Sequence, residues 1–319
     1  MIEEMDNQVA TLREMARQAE RNRHQVERDH QDGPRLQPGE AGRSLSRRRV
    51  PYTLAITSGK GGVGKSVITV HLALQFASMG LKVLIIDADL GLANIDVMLD
   101  LHPKFTIQDV VDGRMTLDEV AVVGPMGITV LPAASGVAEL SHLSDAQRIA
   151  LLDHIDHWNA DFDVVLVDTG AGISTNVRYF VLAVEKIVVV ATPDPSSIAD
   201  AYALVKVMFL NHRIANFDLI VNQVDAMAAE QDGKDVYRTI HQTAERFLNI
   251  GLNYLGAIPH DPQLARMVRQ NRIIMDDTLP YMQVFKRMAN NILQVRQTGQ
   301  ADGSRPTFFW RQVLDESAE

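Results

Sequence analysis

The run Ser58-Gly59-Lys60-Gly61-Gly62-Val63-Gly64-Lys65-Ser66 leaves this chain few folds to choose from. From Gly59 to Ser66 it fits G-x-x-x-x-G-K-[ST], directly after the apolar run Thr53-Leu54-Ala55-Ile56-Thr57 and directly before a helical pattern. Strand, loop and helix in that order are what the motif needs. Gly59, Gly61, Gly62 and Gly64 let successive N–H groups, Val63 included, turn onto an anion without Cβ clashes. Lys65 is expected to reach β- and γ-phosphates, and the Ser66 hydroxyl to help hold Mg²⁺. A helix starting near Gly64 adds its positive end beneath them.

Beyond residue 52, short β-branched runs alternate with helical patterns. Strands are expected at 53–58, 82–87, 127–131, 163–168, 186–192, 217–222 and 253–258. Helices are expected at 65–79, 143–158, 175–183, 197–211 and 233–248, with a last one opening at Pro280. Val83-Leu84-Ile85-Ile86 and Val164-Val165-Leu166-Val167 are apolar throughout, as in strands covered on both faces of a parallel sheet. The expected fold is therefore α/β, a doubly wound, mostly parallel sheet with helices on both faces, spanning residues 51–296. Met282, Phe285, Met288, Ala289 and Ile292 recur at core spacing, so this methionine stripe reads as packing. His154 and His157 read as surface residues, and no zinc spacing occurs among the histidines.

The ends read differently. Ile2, Met5, Val9, Leu12, Ala16 and Ala19 recur at helical spacing, predicting an amphipathic N-terminal element within 1–30. Residues 31–50 have the Gly, Pro, Ser and Arg content of a linker. Residues 297–319 read as linker plus a short tail in which Phe308, Phe309, Trp310, Val313 and Leu314 suggest a weak interfacial membrane anchor or a clasp on the protein's own body. No apolar run approaches a membrane span and no signal-peptide core is visible, so a cytoplasmic protein is expected, peripheral at the membrane's inner face if the tail anchors it. The net charge of −9 disfavours DNA as a partner.

The early Lys60 in Lys60-Gly61-Gly62-Val63-Gly64-Lys65-Ser66 makes the loop resemble the deviant Walker A of the MinD/ParA ATPases. In that family the early lysine crosses a dimer interface to the partner's nucleotide, which implies catalytic roles for Lys60 and Lys65 and an ATP-dependent homodimer. Asp87-Ala88-Asp89-Leu90-Gly91 is similar to the family's switch I, which implies that Asp89 orients the attacking water and that Asp87 stands behind the metal's ligands. Strand-end aspartates also cap helices, and that reading stays open. Asp168-Thr169-Gly170-Ala171-Gly172 resembles Walker B and switch II, with Asp168 on the Mg²⁺ side and Gly170 where proline is more usual. Asn222 resembles an adenine reader, with a strand-end turn as its alternative. Pro259, His260 and Asp261 resemble the family's second adenine-side segment. Gln223 stands where a guanine motif would place lysine, so ATP is favoured over GTP. The sequence has no cysteine, which sets aside the cluster-bearing and thiol-dependent branches of this class.

Asn7-Gln8-Val9-Ala10-Thr11-Leu12-Arg13 resembles the N-terminal D-Q-A-x-x-L-R element of the flagellar number regulators, the FlhG or FleN branch. That implies a role in flagellar number and placement, with Gln8, Leu12 and Arg13 presented to an FlhF-like GTPase. Asn7 and Val9 depart from the pattern. A flagellar transcription activator enters as a candidate partner by the same resemblance. The alternatives are a MinD-like division-site regulator and a ParA-like DNA-partition ATPase.

Overall fold

A computed structural model of the chain describes residues 50–89, 94–133, 144–158, 160–270 and 279–299. The N-terminal element with Gln8, Leu12 and Arg13, all of the linker but Val50, residues 90–93 and the tail with Phe308 to Leu314 lie outside the described residues.

In chain order the elements are β1 (Tyr52–Ser58), α1 (Lys65–Ser78), β2 (Val83–Ala88), α2 (Ile95–Met98), α3 (Ile107–Val111), α4 (Leu117–Val120), β3 (Val122–Val123), β4 (Thr129–Leu131), α5 (Asp145–His157) and β5 (Val164–Ala171). They continue with α6 (Thr175–Leu182), β6 (Lys186–Ala191), α7 (Pro195–His212), β7 (Phe217–Val224), α8 (Ala229–Leu248), β8 (Leu252–Pro259), α9 (Pro262–Arg269) and α10 (Pro280–Gly299). The sheet runs β3-β4-β2-β5-β1-β6-β7-β8. Every pairing is parallel except β3 with β4.

Burial explains why the central strands are apolar at consecutive positions, Leu54–Ile56, Val83–Ile86 and Val164–Val167. On β1, Ala55 packs into the layer built with α5 to α8, whereas Leu54 and Ile56 pack into the opposite layer with α1, α2 and α10. On β5, Val165 and Val167 take the first layer, and Val164 and Leu166 the second. Neither face can be polar at low cost, so period-two alternation disappears. The stripe Met282, Phe285, Met288, Ala289 and Ile292 is buried against the second layer. Its helix opens at Pro280, as the sequence predicts, and extends to Gly299, three residues past the boundary expected at 296. His154 and His157 are exposed. Among the described residues no helix is long and apolar enough to cross a membrane.

Five small elements escape the periodicity reading, the four-residue α2 among them. α3 and α4 have only five and four residues, too short to show a helical period. Each carries a capping box instead, Thr106 with Asp109 and Thr116 with Glu119. α9 starts on Asp261-Pro262, an N-cap followed by proline in the first turn. β3 is a two-residue antiparallel edge strand.

The order places β1 between β5 and β6, with β2 on the far side of β5. Asp87 of β2 lies directly opposite Asp168 of β5, and Asp168 opposite Ile56 of β1. Two carboxylates and the loop after β1 therefore meet at the carboxyl edge of the sheet, where open α/β sheets bind ligands.

Candidate functional site

The loop between β1 and α1 turns on two left-handed residues, Gly62 at φ 76° and Gly64 at φ 96°. Gly59 is required for a different reason: a Cβ there would overlap the Asp200 carbonyl on α7. The loop is also held from β7. Asn222 donates through Nδ2 to the Val63 carbonyl at 2.7 Å, and its Oδ1 accepts the Gln223 N–H at 2.9 Å. Gln223, itself left-handed at φ 60°, donates through Nε2 to the Gly62 carbonyl at 3.4 Å. Tying down two successive carbonyls fixes the peptide planes, and so the direction of the next N–H groups. In this structure Asn222 buttresses the loop; each half of its amide retains one further donor or acceptor position for a base.

The two lysines of the loop go to different places. Lys65, the first residue of α1, is 7% exposed. Burial lowers its pKa, while the charges of Asp168 and then Asp89 hold it up. Lys60 is on the surface: its ammonium donates to the Ser196 hydroxyl and stands 3.4 Å from Asp194 Oδ2, at the start of α7. Ser196 in turn donates its hydroxyl and N–H to Asp194 Oδ1 at 2.6 and 2.7 Å. Those bonds, with smaller contributions from Ser197 and Lys60, hold the Asp194 carboxyl down to about 2. Nothing in the spacing of Lys60, Asp194 and Ser196 announces this contact.

Two carboxylates, Asp168 and Asp89, act on Lys65, and a third, Asp87, stands beside Asp168. Asp87 accepts the Asp89 N–H at 3.1 Å and the Asn94 and Ile95 N–H groups at 3.2 and 3.3 Å. It thus caps α2 and anchors both ends of the switch I segment. Burial, and then the neighbouring Asp168, push its pKa well above the carboxylate range despite those donors. Burial raises Asp168 to about 6, against a hydrogen bond from Ser66, the Lys65 charge and a bond from Thr69. Asp89 lies beside switch II, its Oδ1 3.4 Å from where a Cβ on Gly170 would sit. At the adenine-side segment, the His260 N–H is bonded to the Val224 carbonyl at 2.9 Å. Pro259 ends β8 beside Val224. Asp261 caps α9 through Gln263 and Leu264.

This arrangement concentrates more negative than positive charge in a poorly solvated place, which suits a hard divalent cation with oxygen ligands. Among the described residues no group of three or more acidic, histidine or cysteine side chains is built to hold a metal alone. Without a cation the cluster has a pH signature. Asp168 holds its proton more tightly in the folded chain, at about 6, than an ordinary aspartate does. Its contribution to stability is therefore complete below about pH 4 and lost as pH rises through about 6. Urea midpoints of the nucleotide-free protein should fall across that window relative to Asp168→Asn, and parallel curves would remove Asp168 as the cause.

The family model described as ParA, NUBPL iron-transfer P-loop NTPase, matches residues 49–293. The chain is 40% identical over 223 residues to the antiactivator FleN of Pseudomonas aeruginosa, covering 70% of this chain and 79% of FleN. It is 36% identical over 222 residues to the flagellum site-determining protein YlxH of Helicobacter pylori, covering 69% and 74% of the two chains. Among solved structures, a chain of the MinC:MinD cell division protein complex of Aquifex aeolicus superposes with a TM-score of 0.63 at 26% identity, covering 80% of this chain and 98% of that one. With the phosphate loop, the facing carboxylates and the sheet order in place, these matches settle the family: the chain belongs to the ParA family of P-loop NTPases.

Proposed function

We propose that the chain is an ATP-dependent dimerising switch ATPase that regulates flagellar number and placement. The observation that carries this reading is the divided loop, one lysine buried among the carboxylates and the other on the surface, in a chain 40% identical to FleN. In this reading Gly59 to Ser66 cradle the phosphates and Lys65 neutralises their developing charge. Ser66 holds Mg²⁺, with Asp168 and Asp87 fixing its waters. Mg²⁺, when bound, supplies positive charge to the phosphate oxygens. Asp89 orients the attacking water, giving ADP and phosphate. Asn222, Pro259, His260 and Asp261 flank the adenine. Lys60 leaves Asp194 and reaches a second copy's nucleotide. Gln8, Leu12 and Arg13 act on an FlhF-like GTPase, a flagellar transcription activator is a further partner, and the tail from Phe308 gives peripheral membrane contact.

The cellular test counts flagella and division defects after deletion of the gene. Altered flagellar number or position with normal septa supports the reading, while normal flagellation with misplaced septa sinks it in favour of a division-site regulator. The dimer adds a biochemical test. If Lys60 must leave Asp194 to dimerise, Asp194→Asn, which keeps the helix cap, should tighten the ATP-bound dimer. The pair is 39% and 52% exposed, so the gain is at most about 5-fold. A weaker dimer would mean that Asp194 contributes to the interface itself.

A further inference from the structure

α1 turns one more hydroxyl toward the metal-side carboxylate than the phosphate-loop motif contains. Thr69 follows Lys65 by four residues and Ser66 by three, so a helix stacks the three on one side. Its side chain is fully buried, with Oγ1 3.0 Å from Asp168 Oδ1 and 3.0 Å from the Lys65 carbonyl oxygen. A hydroxyl has one proton to donate. The Lys65 carbonyl is already placed to accept the Thr69 N–H of the helix ladder, and a carboxylate is the stronger acceptor. The Thr69 proton therefore belongs to Asp168. Ser66 supplies the other side-chain hydrogen bond to this carboxylate, so hydroxyls from two successive turns of α1 hold it.

We propose that Thr69 is a positioning residue for the metal site: by holding Asp168 Oδ1 it sets the torsion of the carboxylate, and with it the direction in which the second oxygen meets Mg²⁺ and its waters. The proposal rests on the Mg²⁺-ATPase reading above. It assigns a role to a side chain outside the loop, at a position where a fully buried helix residue needs only to be apolar. Removing a group that orients a metal's ligands costs affinity for the metal with little effect on what the metal does not touch.

The test avoids turnover. Full-length wild type, Thr69→Val and Thr69→Ser are saturated with ADP, and their thermal stabilisation is followed against Mg²⁺ concentration. ADP affinity in EDTA is measured alongside. Thr69→Val should raise the Mg²⁺ midpoint by about 10- to 100-fold, with Thr69→Ser within about 3-fold of wild type and ADP affinity in EDTA unchanged. A Val midpoint equal to wild type overturns the proposal, as do Val and Ser midpoints shifted alike, which would mark a packing role. A wild type that does not respond to Mg²⁺ instead overturns the Mg²⁺-ATPase reading on which it rests. Should the Val protein fail to fold, Ser against Ala, which differ by the hydroxyl alone, reads the same difference.

Discussion

Replacing Lys65 with alanine is expected to abolish nucleotide binding. Lys65 is the buried cation beside Asp168 and Asp89, and it stands at the start of α1 directly behind the loop. Without it an incoming triphosphate meets Asp168 and Asp89 with no buried ammonium beside them. Removing one partner from a buried charge cluster costs about 3–5 kcal/mol, so ATP affinity should fall by at least about 100-fold. Lys65→Met, which keeps the apolar stem, should lose as much, because the charge and not the packing is what the phosphates engage. Fluorescent-nucleotide titration reads both variants. Binding by either within a few-fold of wild type would take Lys65 out of phosphate recognition.

Asp89→Ala should have the opposite profile, with nucleotide retained and turnover lost. The bond from residue 89 that organises switch I is made by its backbone N–H, on Asp87 Oδ1. An alanine still makes it. What the substitution removes is the carboxylate beside Gly170 of switch II, the group assigned to orient water. Loss of such a group is expected to slow hydrolysis by about 10²- to 10⁴-fold. ATP affinity should stay within a few-fold of wild type. Single-turnover hydrolysis at saturating ATP separates the two quantities, and equal rates for the variant and wild type would remove Asp89 from the mechanism.

The sequence announces the parts of this molecule whose cause is local. A strand covered on both faces has to be apolar at every position, so Val83 to Ile86 and Val164 to Val167 are recognisable as central strands. The glycines and Lys65 stand at the spacing that an anion-cradling loop requires, and Met282 to Ile292 at that of a buried helix face. Sites built from distant segments are silent. Lys60 meets Ser196 across 136 residues, because β1 and β6 are neighbours in the sheet and each sends its following segment to the same edge. No property of Asp194 or Ser196 alone distinguishes this pair from an ordinary helix cap, which it also is. Asn222 shows the same limit from the other side. Its position after an apolar run reads as the end of a strand, yet β7 runs on to Val224, and its hold on the Val63 carbonyl depends on the tertiary approach of β7 to the loop. Thr69 is hidden because the motif stops at Ser66. The capping boxes at Thr106 and Thr116 and the Asp261-Pro262 start were legible signals, too short for a reading built on periodicity.

ATP is expected to join two copies of this chain through Lys60. Sedimentation of the Asp89→Ala protein tests it most directly, because that variant should hold ATP without consuming it. At tens of micromolar, a concentration that detects a dimer of roughly micromolar affinity, it should sediment as a dimer with Mg²⁺-ATP and as a monomer with Mg²⁺-ADP. Adding Lys60→Ala should return the ATP form to monomer while ATP remains bound. A protein that stays monomeric with ATP bound, or a dimer indifferent to Lys60, would contradict the account.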